Sequence, residues 1–217
     1  MWPRLNLGRS RHHAGFSPDI PVRSQRYVVL DTELTSLDKR SNRILSIGAI
    51  AMEGARILVS EQFYRVLNPG VAIPEESIKI HRLRPADVQH AEPAHQVCSA
   101  LKKFTQGAVL VGHFVSLDVH ALQKELGGHG HALDNPVVDT ATVHRWILRH
   151  GRYTEDLPHR YEHVDLLSLA KLYNLPVQDL HHALSDAFLT AQLWQKLIHV
   201  AESLGIRTLG DLLRIGR

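Results

Sequence analysis

Apolar residues along the chain alternate between short β-rich runs and longer amphipathic segments. The first run, residues 27–30, is followed directly by the acidic residue Asp31 and has the composition of a buried strand. The next two runs are separated by Glu53-Gly54, a turn signal that predicts a hairpin. In chain order, the predicted strands cover residues 27–30, 44–52, 56–67, 108–111 and 136–138.

Other apolar positions recur with helical spacing. In residues 183–199 they form one face of an amphipathic helix that would pack on a core. The other predicted helices cover residues 74–81, 85–88, 92–105, 115–126, 141–149 and 166–173. Three early strands followed by alternating strands and helices predict an α/β domain with a mixed sheet.

The two ends of the chain differ from this central pattern. Residues 1–25 contain three prolines and no periodicity, which predicts a poorly ordered basic extension. Their arginines also fit a mitochondrial transit peptide, but the prolines weaken the helix that such a peptide requires. Residues 26–200 form the predicted domain, and apolar positions in residues 201–217 predict a helical segment packed on it.

Composition limits the class of protein. With 217 residues, 44% of them hydrophobic, the chain can form one globular domain. Residues 1–26 hold five arginines against one acid, a charge of +4, so the rest of the chain sums to −1 and the net charge of +3 argues only weakly for a nucleic-acid partner. No apolar run approaches the roughly 18 residues of a membrane span. The single cysteine, Cys98, cannot form an internal disulfide, which favours a cytoplasmic location.

The first candidate site is Asp31-Thr32-Glu33 at the end of the first strand. Side chains at i and i+2 of a strand share a face, so the two carboxylates point the same way and repel each other. A hard divalent cation such as Mg²⁺ or Mn²⁺ prefers oxygen ligands and would relieve this repulsion. By itself, however, such a tripeptide is more often a solvated strand end.

Two further segments carry candidate chemistry. Asp118 follows Gly112 by six residues and falls in the first turns of a predicted helix, whose positive end it could simply complement. Two histidines, His181 and His182, lie five and four residues before Asp186. His182 shares its face if the helix is continuous, whereas His181 can swing over the site if the helix begins after it. The pattern alone leaves both histidines open.

Together the three segments resemble the motifs of the DEDDh exonucleases, the group that contains the proofreading (epsilon) subunit of bacterial DNA polymerase III. The shared features are an Asp-x-Glu ending the first strand, a Gly-His start with Asp six residues after the Gly, and His-x-Ala-x-x-Asp-Ala. In the last motif, Ala183 and Ala187 fix the register that favours His181 over His182. The resemblance covers about residues 26–200. It implies an α/β, RNase H-like fold: a mixed five-stranded sheet flanked by helices.

The resemblance also implies an activity. It is that of a metal-dependent 3′→5′ exonuclease, which releases nucleoside 5′-monophosphates from single-stranded or mismatched DNA 3′ ends by two-metal hydrolysis. The implied ligands of two divalent cations, Mg²⁺ or Mn²⁺, are Asp31, Glu33, Asp118 and Asp186. Asp31 would bridge the cations, Glu33 and Asp186 would bind the one that carries the nucleophile, and Asp118 the other. His181 would be the general base, since histidine titrates near pH 7.

Residues beside these ligands are the candidates for substrate contact: Leu34, Thr35, His113 and Phe114. Phe114 could stack on a base or pack in the core, and both alternatives stay open. Asp139 is predicted to cap a helix rather than to act in catalysis. Three residues depart from the family pattern and bear on substrate preference and rate. They are Ser36 and Arg82, where the family usually has glycine, and Phe114, where it usually has asparagine.

Two alternatives to a DNA exonuclease follow from the same residues. An exoribonuclease of the oligoribonuclease or ribonuclease T kind would share all five catalytic positions. A non-catalytic nucleic-acid or polymerase-binding module would have no need to keep four converging carboxylates. The expected partners are the 3′ end of single-stranded nucleic acid, with DNA favoured over RNA, and a polymerase; no membrane partner is expected.

Overall fold

The computed structural model describes residues 15–151 and 164–215. Its strands form one five-stranded sheet in the order β3-β2-β1-β4-β5. They are β1 (Arg26–Leu34), β2 (Ile44–Glu53), β3 (Arg56–Val66), β4 (Val109–Gly112) and β5 (Val137–Asp139). The first three pair antiparallel, whereas β4 runs parallel to β1 and β5 runs parallel to β4. The predicted mixed five-stranded sheet is therefore confirmed.

Helices cover both faces of this sheet. In the described ranges they are α1 (Glu75–His81), α2 (Pro85–Val88), α3 (Ala94–Phe104), α4 (Ser116–Gly128), α5 (Thr140–His150), α6 (Leu166–Leu172), α7 (Ala183–Ser203) and α8 (Leu209–Arg214). Each predicted helix is present with its ends shifted by a few residues. The largest shift is at α7, which continues past the predicted domain boundary at residue 200 because Ala201 still packs in the core.

Alternation along β1 divides the core into two layers. Tyr27 and Val29 face α7, where the Tyr27 and Trp194 rings meet edge to face with centroids 5.4 Å apart. Val28 and Leu30 face the opposite layer, which contains α3 and α4. Because strand side chains alternate, Asp31 and Glu33 lie on one face of the sheet and Thr32 lies on the other.

The expectation of a poorly ordered segment over residues 1–25 does not hold for its last part. Val22 lies in a short 3₁₀ helix, is fully buried, and accepts a hydrogen bond of 3.0 Å from the Tyr27 hydroxyl through its carbonyl. Pro21 forms a β-bridge with Thr208. The hydrophobic contact of Val22 with the core outweighs the turn-forming composition around it. Residues 1–14 lie outside the described residues.

Helix α8 packs on the core of the domain. Leu209 and Leu212 of α8 are buried in the core layer that contains α7. Thr208 caps α8 by accepting a hydrogen bond from the Asp211 N–H. Among the helices of the two described ranges, none has the length and apolar composition to cross a membrane.

Candidate active site

Three of the four predicted metal ligands converge at the end of β1. Asp31 and Glu33 lie on this strand, and Asp186 lies in the first turn of α7. One carboxylate oxygen from each residue lies within 4.8 Å of the other two. Asp31 and Glu33 are half-buried and Asp186 is buried, so water solvates the three charges only in part.

Gly48 is what lets α7 come so close to the sheet. It pairs with Asp31 across β1 and β2, and a Cβ atom at this position would lie 2.2 Å from the backbone of Ala183. No side chain fits there unless the helix moves. A glycine inside an apolar strand often marks close backbone contact, so the position of Gly48 in β2 is the sequence signal for this approach.

Asp118, the fourth predicted ligand, is held separately. It is buried in α4, and its Oδ1 accepts hydrogen bonds from the Thr32 N–H at 3.0 Å and from the Thr32 hydroxyl at 2.6 Å. Burial raises the pKa of Asp118 to about 6, against the lowering effect of the Thr32 hydrogen bonds. Its charge is still close enough to raise the pKa of Asp31.

The electrostatics of the three converging carboxylates favour a cation. Burial, followed by repulsion from the neighbouring acids, raises the pKa of Asp31 well above its usual range and that of Glu33 to about 7. The pKa of Asp186 is also raised by burial. Its Oδ1 is buried and accepts no hydrogen bond from any described residue. An orphaned oxygen beside two other carboxylates is a donor set that suits a hard divalent cation.

The start of α7 separates the two adjacent histidines. The helix begins at Ala183 with His182 as its N-cap, so His181 lies in the approach, where its backbone φ is 66°. The His181 N–H donates to Asp186 Oδ2 at 2.9 Å, which attaches this residue to the carboxylate cluster. The His182 ring instead stacks on Tyr64, with centroids 4.7 Å apart. Because α7 begins after His181, the His181 side chain is free of the helix and can reach the carboxylate cluster.

Two of the predicted substrate contacts lie between β4 and α4. The His113 Nδ1 is 2.8 Å from the Thr140 hydroxyl, and burial lowers its pKa. Phe114 is half-buried, belongs to neither of the two large core clusters, and has the Arg145 guanidinium 5.9 Å from its ring centroid. The Phe114 ring also lies beside the His113 ring, with centroids 4.6 Å apart. Core packing and base stacking both stay predictions for Phe114.

The other two predicted contacts follow Glu33. Thr35 is buried, and its hydroxyl accepts a hydrogen bond from the Arg43 N–H at 3.0 Å. This side chain therefore ties the end of β1 to the residue before β2. Leu34 is half-buried against the core layer that contains α4. Contact of either residue with a substrate stays a prediction.

Asp139 is a helix cap, as predicted, and it has a second role. Its Oδ1 accepts a hydrogen bond from the Thr142 N–H and its Oδ2 one from the Val115 N–H, each at 2.9 Å. The carboxylate therefore joins the start of α5 to the residue that precedes α4. The positioning roles of Asp139, Thr32 and Gly48 involve backbone geometry that the sequence motifs did not specify.

Fold and site together define a class of protein, the nucleases of RNase H-like fold. A sequence model of one family in this class, described as Exonuclease, matches residues 28–194. The match spans most of the chain, and the chain belongs to this exonuclease family.

Individual relatives agree with this assignment. The chain is 31% identical over 212 residues to a PolC-type DNA polymerase III of Lacticaseibacillus paracasei, covering 96% of this chain and 14% of the relative. It is 30% identical over 210 residues to a DNA polymerase III subunit epsilon-like protein of Rhodobacter capsulatus, covering 95% of this chain and 28% of the relative. The chain thus spans only a minor part of the length of these relatives.

Among solved structures, Exonuclease I of E. coli in complex with a dT13 oligonucleotide has the same fold. The two chains superpose with a TM-score of 0.72 at 14% sequence identity, over 83% of this chain and 42% of that one. The RNase H-like architecture expected from the sequence is thereby confirmed.

Proposed function

We propose that this chain is a metal-dependent 3′→5′ exonuclease that acts on DNA. The observation that carries the proposal is the convergence of three carboxylate oxygens within 4.8 Å, one of them buried without a hydrogen-bond donor among the described residues. Such a cluster is unfavourable for the protein alone, because each charge raises the cost of ionising the others. Its retention in a member of the exonuclease family supports use of the cluster in hydrolysis.

Asp31, Glu33 and Asp186 would hold the cations, with Asp118 contributing from the α4 side. When bound, two Mg²⁺ or Mn²⁺ ions would lower the pKa of water and offset the charge that builds on the phosphate oxygens. Thr32 keeps Asp118 in one orientation through its two hydrogen bonds. The charges of the other three acids all raise the pKa of Asp31. This carboxylate would therefore bind both cations.

His181 would act as the general base. Its side chain is exposed, and its backbone N–H is fixed to Asp186, so the imidazole has room to move while its Cα stays beside the cluster. A ring nitrogen of His181 would accept a proton from the attacking water. The resulting hydroxide would add to the phosphorus as the P–O3′ bond breaks. The released O3′ would take up a proton from water, so the terminal nucleotide leaves as a 5′-monophosphate and the shortened strand ends in a 3′-hydroxyl.

DNA is proposed over RNA as the substrate because the relatives and the structural neighbour are named for DNA polymerases or a DNA complex. One relative is named a PolC-type DNA polymerase III and another a protein like the epsilon subunit of DNA polymerase III, and the structural neighbour was solved with an oligothymidylate. The same relatives support a polymerase as a partner of this chain. A preference for single-stranded or mismatched 3′ ends, His113 and Phe114 as contacts for the terminal nucleotide, and a cytoplasmic location are parts of the same proposal.

Hydrolysis of end-labelled strands tests the proposal. Purified protein with Mn²⁺ should release nucleoside 5′-monophosphates stepwise from the 3′ end of a 5′-labelled DNA strand, and EDTA should stop the reaction. The Asp31→Asn variant, which removes one ligand charge at constant size, should be slower by on the order of 10³-fold, because metal ions supply several kcal/mol of transition-state stabilisation.

The matched control is Asp134→Asn. This aspartate is 77% exposed, pairs with Lys102 and precedes β5, at the opposite end of that strand from the site. The control should cleave like the wild-type protein. Full activity of Asp31→Asn would refute the site, and faster cleavage of a sequence-matched RNA strand would favour the exoribonuclease alternative.

A further inference from the structure

The C-terminal end of α1 has an unusual backbone for the residue it carries. Arg82 caps this helix in the left-handed region, with φ of 63° and its N–H bonded to the Ile78 carbonyl at 2.8 Å. Glycine is the residue that most often ends a helix in this way, because any Cβ is strained there. Strained residues of this kind tend to persist where the side chain is needed for function.

The Arg82 side chain borders a cavity that adjoins the carboxylate site. The cavity has a volume of about 330 Å³ and lies between the end of α1 and the approach to α7. His81, Arg82 and Leu83 line one side, and Asp179 and His181 lie on the other. Since the His181 N–H binds Asp186, the cavity opens beside the proposed metal ligands.

Arg82 has no ion-pair partner among the described residues, a property it shares with several other arginines of the chain. Five arginines of the described residues form ion pairs with acids: Arg23, Arg26, Arg56, Arg65 and Arg214. Arg82 is exposed, and no acid in the described part of the chain lies within ion-pair distance of it. Its guanidinium is therefore open to an anion from solution.

His81, which also lines this cavity, has a buried ring nitrogen without a partner among the described residues. Its Nδ1 accepts from the Leu83 N–H at 3.0 Å, so the neutral ring carries its proton on Nε2. His81 is buried, with 6% of its surface exposed. Its Nε2 has no hydrogen-bond partner within the described ranges. Burial lowers the pKa of His81, which keeps the ring neutral near pH 7. Asp179 is the one acid among the described residues that line the cavity.

We propose that Arg82 binds a backbone phosphate of the nucleic-acid strand in this cavity, next to the phosphate that is cleaved. The planar guanidinium suits phosphate oxygens, which it can bind through two parallel hydrogen bonds. The scissile phosphate would instead face the carboxylates and their cations. The inference rests on the proposed function for the identity of the ligand, and it adds a contact that fixes the path of the strand.

The test compares Arg82→Gly with the parent protein in an Asp31→Asn background with Mg²⁺, so that the strand is not degraded. Fluorescence anisotropy measures the Kd of a short 5′-fluorescein-labelled oligothymidylate over a range of salt concentrations. Arg82→Gly should weaken binding by about tenfold. It should also reduce the slope of log Kd against log salt by about 0.7, the contribution of one phosphate contact on a single strand.

The same substitution should make the protein more stable, because it removes the left-handed strain. Its Tm should rise by about 2–4 °C in a chain of this size. Arg82→Lys keeps the charge and the strain but loses the paired hydrogen bonds of the guanidinium, so it should keep the salt slope, weaken binding less than Arg82→Gly, and leave Tm unchanged. Lys79→Ala removes one exposed charge from the same helix, outside the residues that line the cavity, and should leave both Kd and the salt slope near the parent values.

A raised Tm with unchanged Kd and salt slope in Arg82→Gly would overturn the proposal, because Arg82 would then be a strained surface residue without a ligand. The outcome is separable from that of the proposed function. A wild-type protein that cleaves DNA while Arg82→Gly binds normally refutes only this contact. A protein that binds the strand through Arg82 but never cleaves it refutes only the exonuclease.

Discussion

The carboxylates on the two faces of β1 differ in their hydrogen bonding. On the α7 face, Asp31, Glu33 and Asp186 converge with raised pKa values, and one oxygen is left without a donor. On the α4 face, Asp118 is saturated at one oxygen by two hydrogen bonds from Thr32. The first face needs a cation to be stable when ionised, whereas the second is held in place by the protein itself.

This difference follows from the alternation of β1. Tyr27, Val29 and Asp31 point to the α7 layer, and Val28, Leu30 and Thr32 to the α4 layer. A single strand end can therefore supply carboxylates to a cluster on one side and fix the Asp118 carboxylate on the other. The predictions below alter one face at a time, in order of decreasing effect.

On the α7 face, His181→Ala should have the largest effect after the loss of a ligand. The value of kcat should fall by about 10²–10⁴-fold, the usual contribution of a general base, with little change in Tm because the ring is exposed. The adjacent His182→Ala is the matched control. It removes the stack on Tyr64 and should lower stability by about 0.5–1.5 kcal/mol while kcat changes far less. If the two variants exchange these effects, the assignment of His181 is wrong.

Gly48→Ala should disturb the α7 face through packing. The new methyl group would overlap the backbone of Ala183, push the start of α7 away from β1 and separate Asp186 from Asp31. We expect the free energy of unfolding to fall by about 1–3 kcal/mol, together with a loss of kcat. Gly128→Ala in α4 is the control, because a Cβ there meets no atom within 4 Å. Equal stability of the two variants in urea unfolding would contradict the close approach at Gly48.

Thr32→Val changes only the α4 face. It removes the 2.6 Å hydrogen bond to Asp118 but keeps the bond from the backbone N–H and the shape of the side chain. Loss of such an orienting partner typically lowers metal affinity or activity by about 10–100-fold. Steady-state kinetics should show this loss for valine and near wild-type values for Thr32→Ser. A Thr32→Val protein with unaltered kinetics would mean that Asp118 needs no fixed orientation.

The stability of the metal-free protein should depend on pH through the α7 face. The pKa of Glu33 is about 7 in the folded protein, above its ordinary 4.5. The folded state therefore keeps a proton that the unfolded chain releases, so stability falls as pH rises from about 4.5 to about 7. Without cations, Tm should be lower at about pH 8 than at about pH 5.5. Glu33→Gln or saturating Mg²⁺ should reduce this difference, and a Tm that rises with pH would contradict the raised pKa.

The sequence predicted the sheet, the order of the helices and the segments that carry the acids, because hydrophobic periodicity and turn residues act locally. It also favoured His181, a choice that depended on the helix starting after this residue, and α7 does start at Ala183. The burial of Val22 and the hydrogen bonds of Thr32 and Asp139 were not predicted. These involve residues distant in sequence, whose packing partners no local pattern identifies.

Calorimetric titration of Mn²⁺ into the metal-free protein near pH 7 tests the central claim most directly. We expect saturable binding accompanied by release of protons, seen as a dependence of the binding enthalpy on the buffer, because cations displace protons held by Asp31 and Glu33. The Asp31→Asn variant should bind far more weakly. Absence of Mn²⁺ binding, or equal binding by this variant, would contradict the assignment of these carboxylates as the metal site.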